Sequence, residues 1–338
     1  MTSPVSERAA ETALPSVDGT PAPGPEPWRH RHLLDVDVLA WDDIELVMRT
    51  ADGMREVLAR PIPKVPALRG RSVTILFHEP STRTRVSFEV AARNLSADVV
   101  SIAAATSSAT KGETLVDTVR TIEALGADTL VIRHPVSGAP QLAASVFGGS
   151  VINAGDGWHA HPTQALLDLY TMRRRLGSVA GRKVVILGDV LHSRVARSNI
   201  WSLTAAGADL WLCGPATLLR GFDAWARAGA AGRRFTVTSD VTAAVRDADV
   251  VMALRIQKER MAGGLLPSLR EYAARYGLTR ERLALARPDA LVMHPGPMNE
   301  GIEVAPDVAA GGQSVIVEQV ANGVAIRMAL LHLLAGAA

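Results

Sequence analysis

The sequence predicts an α/β fold of two domains, each a mostly parallel sheet flanked by helices. Three observations carry this prediction. The chain has 338 residues, which is long for a single core. Short apolar runs alternate with segments of helical spacing in two successive blocks. Charged and hydroxyl side chains follow directly after most of the predicted strands, and ligands of open parallel sheets bind outside the carboxyl ends of strands. We therefore expect one active site in the cleft between the two domains.

The first block begins after a tail, residues 1–28, that is rich in proline and alanine and is predicted to be disordered. The first domain is predicted to span 29–163. Its strands are predicted at 72–77, 98–102, 129–132 and 151–153, and its helices after Ser81 and at 113–125.

The second domain is predicted to span 164–314, and a helix predicted at 163–175 precedes its first strand. Its strands are predicted at 183–187, 210–213, 235–237, 250–253 and 291–293. The apolar stretch 315–334 predicts a long helix, and we expect the terminal segment 315–338 to pack back on the first domain.

Composition excludes several classes of function. A formal net charge of +2 gives no reason to expect a nucleic-acid or membrane partner. The single cysteine, Cys213, excludes an intrachain disulfide and any multi-cysteine metal site. The first residues lack a secretory signal, and no apolar run approaches the roughly 18 residues of a membrane span. The expectation is a cytoplasmic protein.

The run Ser81-Thr82-Arg83-Thr84-Arg85 follows the apolar strand 72–77 and opens a predicted helix. Backbone N–H groups, hydroxyls and a guanidinium then surround the positive end of a helix dipole, which favours a bound anion. Phosphate fits best, because planar arginine forks and fixed N–H donors match a tetrahedral oxyanion. The alternative is an ordinary Ser/Thr N-cap with solvated arginines.

Two further side chains of the first block stand at element ends. Arg133 follows the strand 129–132, where a charge often points into a cleft, although a structural arginine fits equally well. His161 stands near a helix N-terminus, where a neutral imidazole can donate to a developing oxyanion. A structural cap contact is the alternative for His161.

Two loops have less specific patterns. The loop 107–113 carries Lys111 beside a glycine and suits a mobile charged flap, although on local evidence an ordinary surface loop is favoured. The loop His294-Pro295-Gly296-Pro297 is stiffened by its prolines and can present carbonyl oxygens to an –NH₂ group.

The second block lacks the glycines of a dinucleotide-binding loop. Gly188 is present, but Val190 and Ser193 stand where the second and third glycines would be, which argues against a dehydrogenase. Two guanidinium groups, Arg194 and Arg255, follow two different strands instead, and together they match a ligand with two carboxylates.

The nucleophile-elbow and Walker-type patterns are absent from the sequence, and its histidines lack a metal-ligand spacing. The predicted site is therefore electrostatic. It orients two anionic reactants and stabilises developing charge, and it does not supply a nucleophile.

Six motifs, taken in order, resemble those of the aspartate/ornithine carbamoyltransferase family from about His30 to the C-terminus. They are Glu79-Pro80-Ser81-Thr82-Arg83-Thr84-Arg85, Lys111-Gly112-Glu113, His161-Pro162-Thr163-Gln164, His192-Ser193-Arg194-Val195-Ala196-Arg197-Ser198, Arg255-Ile256-Gln257-Lys258-Glu259-Arg260 and His294-Pro295-Gly296-Pro297.

The resemblance implies carbamoyl transfer from carbamoyl phosphate to L-aspartate in pyrimidine synthesis. It makes 29–163 the carbamoyl-phosphate-binding domain and 164–314 the aspartate-binding domain. The residues implied to bind carbamoyl phosphate are Ser81, Thr82, Arg83, Thr84, Arg133, His161, Gln164, Pro295 and Gly296. Those implied to bind aspartate are Lys111, Arg194, Arg255 and Gln257, and the catalytic set is Arg83, Thr84, Lys111, Arg133 and His161.

The resemblance also implies that Ser107 and Lys111 reach into a neighbouring subunit's site, so that the site lies at a subunit interface and a homotrimer is the smallest active unit. It implies no metal and no organic cofactor. A larger assembly with a regulatory chain or another pyrimidine enzyme stays open.

Two alternatives stay open for the function. Glu300 stands where the family more often has arginine, and His78 where a bulky aromatic residue is commoner, so the acceptor could be ornithine or a specialised amino acid. The loop His294-Pro295-Gly296-Pro297 and the pair Arg255 and Gln257 favour aspartate. A catalytically silent α/β subunit with a structural or regulatory role is the third hypothesis.

Overall fold

The chain forms two parallel β-sheets with helices on their faces, which confirms the predicted fold class. The computed structural model describes residues 28–103, 113–257 and 264–336. The first sheet has the order β2-β1-β3-β4, with all neighbours parallel. Its strands are β1 (Ser72–Phe77), β2 (Asp98–Ala103), β3 (Thr129–His134) and β4 (Ser150–Asp156).

The second sheet has the order β7-β6-β5-β8-β9 and is also parallel throughout. Its strands are β5 (Lys183–Leu187), β6 (Asp209–Cys213), β7 (Thr236–Thr238), β8 (Val250–Ala253) and β9 (Leu291–Met293).

The helices connect and cover the strands. They are α1 (Trp41–Leu58), α2 (Thr82–Asn94), α3 (Leu115–Ala124), α4 (Ala139–Val146), α5 (Pro162–Leu176), α6 (Arg194–Ala205), α7 (Phe222–Ala228), α8 (Val241–Val245), α9 (Leu269–Tyr276), α10 (Arg280–Leu283), α11 (Pro306–Ala309) and α12 (Ile316–Gly336). A short 3₁₀ helix covers Ala216–Leu218.

The element positions follow local sequence chemistry closely. Strands β1, β5, β8 and β9 have the predicted bounds, because each is a short and largely buried apolar run. Helix α3 begins later than the predicted 113, because the Thr114 hydroxyl caps it by accepting from the Asp117 N–H.

Helix α12 packs against α1, α2 and α5, so the C-terminal segment lies on the first half of the chain. Its length and apolar composition would suffice for a membrane span, so the expectation that no segment approaches such a length was wrong. Its buried residues, which include Asn322 and Arg327, make it a helix of the protein core. The predicted disordered tail, apart from Trp28, lies outside the described residues.

The strand orders of the two sheets predict where a binding site can form. In the first sheet the chain reverses its winding direction between β1 and β3, and in the second sheet it does so between β5 and β8. Connections leave the sheet on opposite faces at such a point and open a crevice at the carboxyl ends of the strands. The residues after β1, β3, β5 and β8 are the ones that carry most of the predicted site.

Candidate active site

A cleft of about 830 Å³ lies between the two sheets, at the carboxyl ends of their strands. It brings together every predicted site residue within the described ranges. These are Ser81, Thr82, Arg83, Thr84, Arg133, His161, Gln164, Arg194, Arg255, Gln257, Pro295 and Gly296. Ser107 and Lys111 lie outside the described residues.

The start of helix α2 forms one wall of the cleft. Ser81 is the N-cap residue, with extended backbone, yet its hydroxyl accepts no capping hydrogen bond from the described helix. An ordinary N-cap would use that oxygen for the helix N–H groups. The hydroxyl and the first N–H groups of α2 are therefore available to an anion, which favours the binding hypothesis over the capping alternative.

Arg83 reaches across the cleft to the loop that follows β9. Its guanidinium lies against Gly296, where a β-carbon would come within 2.6 Å of the Cζ atom. Burial and the charge of Arg255 lower the pKa of Arg83. Burial and the charges of Arg83 and Arg255 also lower the pKa of His294, to about 4. This end of the cleft therefore has a positive potential suited to a phosphate group.

Glu79 connects the two sheets through a pair of buried arginines. Its carboxylate accepts from Arg133 Nη2 at 2.7 Å, and from Arg194 Nη1 and Nη2 at 2.9 and 2.7 Å. Arg133 stands at the end of β3 in the first sheet, whereas Arg194 opens α6 in the second half. The bidentate contact therefore fixes the orientation of both guanidinium groups across the cleft.

Burial alone would raise the pKa of Glu79, but the hydrogen bond from Arg194 and the charge of Arg133 outweigh it and lower the pKa to about 2. Glu79 is thus ionised throughout the physiological range. Glu79 belongs to the first sequence motif, but the motif alone did not predict a role for it. A carboxylate directly before a phosphate-type loop was the available signal.

Gly155 explains how the two guanidinium groups can lie so close. Its φ of +116° belongs to the region that favours glycine, and a β-carbon there would lie 3.0 Å from Arg194 Nε and 3.3 Å from Arg133 Nη1. The backbone at the end of β4 therefore packs directly against both guanidinium groups.

His161 is the N-cap residue of α5 and is almost fully buried. Burial, with the charges of Arg133 and Arg194, holds the pKa of His161 well below its usual range. Its backbone N–H donates to Ser198 Oγ at 2.9 Å, while its Nδ1 atom has no partner among the described residues. A neutral imidazole at this position can donate to or accept from a ligand, but it cannot serve as a cation at neutral pH.

Two buried carboxylates bind the backbone of the segment after β8, which lines another wall of the cleft. Ile256 N–H donates to Glu303 Oε1 at 2.9 Å, and Gln257 N–H donates to Asp189 Oδ2 at 3.2 Å. These contacts fix the backbone at Ile256 and Gln257, next to the Arg255 side chain, where the chain leaves β8. Positions 258–260 of the same motif lie outside the described residues.

Sequence reasoning also missed Arg327 and Trp158, which line the cleft. Arg327 is buried in α12, donates to Ser87 Oγ at 2.8 Å and lies over the Phe88 ring. Burial lowers the pKa of Arg327 to about 10. Its position, interrupting an apolar stretch, was a visible signal, because a buried charge usually has a partner or a function.

We expect Gly296→Ala to weaken phosphate binding at least about tenfold, because the new methyl group displaces the Arg83 guanidinium. Calorimetry with inorganic phosphate measures the effect. Gly301→Ala is the matched control, since Gly301 lies in the same loop at φ +77° with nothing within 4 Å of an added β-carbon. Both variants carry the backbone strain, so equal affinities in the two would contradict the role given to the Arg83 contact.

Comparison with known proteins agrees with this arrangement. Residues 31–174 match the carbamoyl-P binding domain of the aspartate/ornithine carbamoyltransferases, and residues 180–334 match their Asp/Orn binding domain. The chain is 59% identical over 308 residues to the aspartate carbamoyltransferase catalytic subunit of Roseiflexus sp. (strain RS-1), covering 91% of this chain and 96% of that one. It is 59% identical over 306 residues to the subunit of the same name from Chloroflexus aurantiacus, covering 90% and 98%.

Solved structures show the same architecture. Aspartate transcarbamoylase from Trypanosoma cruzi in complex with N-(phosphonacetyl)-L-aspartic acid superposes with a TM-score of 0.79 at 30% identity, covering 90% of this chain and 96% of that one. Ornithine carbamoyltransferase from Pyrococcus furiosus superposes with a TM-score of 0.79 at 27% identity, covering 92% and 98%.

Proposed function

The chain belongs to the aspartate/ornithine carbamoyltransferase family, and from this premise we propose that it transfers the carbamoyl group of carbamoyl phosphate to L-aspartate. The products are N-carbamoyl-L-aspartate and phosphate, in pyrimidine biosynthesis. One observation carries the proposal. The cleft is lined both by a phosphate-type helix N-terminus with Arg83 and by two arginines of the second half of the chain, Arg194 and Arg255. Such a site holds two anions in one cleft.

The phosphate of carbamoyl phosphate is assigned to the start of α2. Ser81, Thr82, Arg83 and Thr84 would donate to it through hydroxyls, backbone N–H groups and the guanidinium. The uncommitted Ser81 hydroxyl and the contact of Arg83 with Gly296 support this assignment. Fixed donors that need no reorganisation stabilise the charge that grows on the leaving phosphate.

The carbamoyl group is assigned to the centre of the cleft. Arg133, His161 and Thr84 would donate to its oxygen, which gains negative charge when the amine attacks. The low pKa of His161 supports a neutral donor at this point. The –NH₂ group would donate to the Gln164 side-chain oxygen and to the carbonyl oxygens of Pro295 and Gly296.

The aspartate carboxylates are assigned to Arg194, Arg255 and Gln257 of the second half. Lys111, which lies outside the described residues, would add a positive charge for aspartate and for the departing phosphate. The aspartate amine then attacks the carbamoyl carbon, a tetrahedral intermediate forms, and the bond to phosphate breaks. Positioning and charge stabilisation supply the catalysis, so the proposal needs no protein nucleophile, metal or organic cofactor.

Homotrimerisation is proposed on the family resemblance, with Ser107 and Lys111 completing the site of a neighbouring subunit. A soluble, cytoplasmic enzyme follows from the same premise. Sedimentation of the purified chain reports its oligomeric state directly.

Aspartate is preferred over ornithine or another amine as the acceptor, because guanidinium groups suit a dianionic acceptor. The two unusual residues do not line the cleft. His78 packs against the His134 ring with centroids 4.7 Å apart, and Glu300 is exposed.

Incubation with carbamoyl phosphate and a panel of amines tests the function. We expect fast formation of N-carbamoyl-L-aspartate with release of one phosphate per turnover, and a rate with L-ornithine at least about 10³-fold lower, because the ornithine side-chain ammonium would face the positive charges of Arg194 and Arg255. Chromatography of the ureido products and a phosphate assay measure both. Turnover with a different amine alone would keep the phosphate site but overturn the roles of Arg194, Arg255 and Gln257. Absence of phosphate release with every amine would favour the catalytically silent subunit.

A further inference from the structure

Asp168 is a buried carboxylate at the back of the cleft that the proposed mechanism does not use. It lies in α5, one helical turn after Gln164, and has no exposed surface. Three side-chain amides donate to it, each at 2.9 Å: Gln164 Nε2 and Gln319 Nε2 to Oδ1, and Asn199 Nδ2 to Oδ2. The donors come from three different helices, α5, α12 and α6.

The contact with Gln164 decides which of its atoms serves the cleft. An amide has two donor hydrogens on nitrogen and one acceptor oxygen. Since the Gln164 nitrogen is directed to the carboxylate, its Oε1 atom is left as the group that Gln164 offers to the cleft it lines. With the opposite orientation, two oxygens would face each other in a buried site, which is strongly unfavourable.

The contact with Gln319 also fixes the position of the loop after β9. Gln319 donates to Asp168 through Nε2 and accepts from the His294 backbone N–H through Oε1 at 3.0 Å. Its amide can satisfy both partners in one orientation only. The carboxylate thereby fixes the start of the loop that carries the Pro295 carbonyl.

We propose that Asp168 is a positioning residue that makes the carbamoyl –NH₂ pocket a set of acceptors, by directing Gln164 and, through Gln319, the loop at Pro295. This inference rests on the proposed function. It explains why an acceptor-only group stands at this position. A neutral amide at 168 would present a donor to one of the three amides and force at least one of them to turn.

The charge of Asp168 is balanced within the core. Burial raises the pKa of Asp168 to about 6, against the three hydrogen bonds and the charge of Arg327 on α12, which lower it. The carboxylate is therefore ionised at pH 8, and the test is made at that pH.

Acetyl phosphate provides the probe, because it carries a methyl group where carbamoyl phosphate carries –NH₂. A pocket made of acceptors prefers carbamoyl phosphate, since a methyl group leaves those acceptors without a donor. The measured quantity is the ratio of the two dissociation constants, obtained by calorimetry in the absence of an amine acceptor. Loss of fold stability affects both ligands alike and leaves this ratio unchanged.

For Asp168→Asn we expect the preference for carbamoyl phosphate to fall roughly 10- to 100-fold, as two neutral hydrogen bonds are lost. Asp249→Asn is the matched control. Asp249 is also buried and accepts from Arg182 Nη1 and the Lys183 N–H at 2.9 Å each, but at the amino ends of β5 and β8, away from the cleft. This control is expected to unfold more easily and to keep the wild-type ratio.

Gln319→Met supplies a second route if Asp168→Asn does not fold. It removes the link between Asp168 and the His294 N–H, and we expect a loss of preference of at least about fivefold. In the double variant the two losses should not add, because both act through one network.

An unchanged ratio in a folded Asp168→Asn or Gln319→Met variant would overturn the inference while leaving the proposed function intact. A wild-type protein that transfers carbamoyl groups but binds both donors equally would do the same. A wild-type protein with no carbamoyl transfer to any amine would overturn the proposed function, and this inference with it.

Discussion

Arg83→Ala is expected to lower kcat for carbamoyl transfer by about 10³-fold, the upper part of the range for removal of one preorganised charge-stabilising donor. The physical reason is its place in the cleft. Arg83 is the guanidinium that lies between the α2 N-terminus and Gly296, where the proposed mechanism puts the leaving phosphate. Steady-state kinetics with carbamoyl phosphate and L-aspartate measures the loss.

The control is on the same helix. Arg85 does not line the cleft, and its guanidinium pairs with Glu89 at 3.9 Å on a partly exposed face of α2. Arg85→Ala is expected to change kcat less than about twofold, as surface ion pairs contribute little. Circular dichroism shows whether both variants keep the fold. A folded Arg83→Ala variant with the wild-type rate would remove the basis for the phosphate assignment.

Glu79→Gln is expected to reduce both activity and stability, because Glu79 orients Arg133 and Arg194 together. Removing one member of a buried ionic group costs roughly 3 kcal/mol of the free energy of unfolding, measured by urea denaturation. We expect kcat/KM for aspartate to fall by about 10²-fold, since misplacement of the two guanidinium groups affects the transition state.

The pH dependence of stability gives an independent readout for Glu79. Its folded-state pKa of about 2 lies below the ordinary value of 4.5. A depressed carboxyl pKa stabilises the fold above the ordinary value, and this stabilisation is lost as the pH falls from about 4.5 toward about 2. Glu79→Gln should lack this part of the acid dependence. Glu89→Gln, on a partly exposed face of α2, should retain it, and a wild-type acid profile in Glu79→Gln would contradict the assignment.

Much of the fold could be predicted from local patterns. The run 72–77 is apolar, short and ended by polar residues, and it forms β1 with the predicted bounds. Where prediction and structure differ, the cause is local as well. Helix α3 starts after Thr114 because that hydroxyl caps it, and periodicity alone does not locate a cap.

The set of site residues was also predictable, because chemistry-bearing side chains stand directly after predicted strands. The strand orders then brought the described members of that set into one cleft. Their individual roles stay predictions until the variants above are measured.

Local sequence patterns suffice to predict most elements, the two-sheet class and the residue types at each strand end, because these depend on neighbours a few positions away. How the polar groups pair depends on the tertiary structure. Glu79 meets Arg194, 115 positions later, and Asp168 meets Gln319, 151 positions later. Such pairs depend on how the sheets and α12 pack, since hydrogen bonds form only within about 3 Å. That packing directs the arginines, and the amide of Gln164, into the cleft.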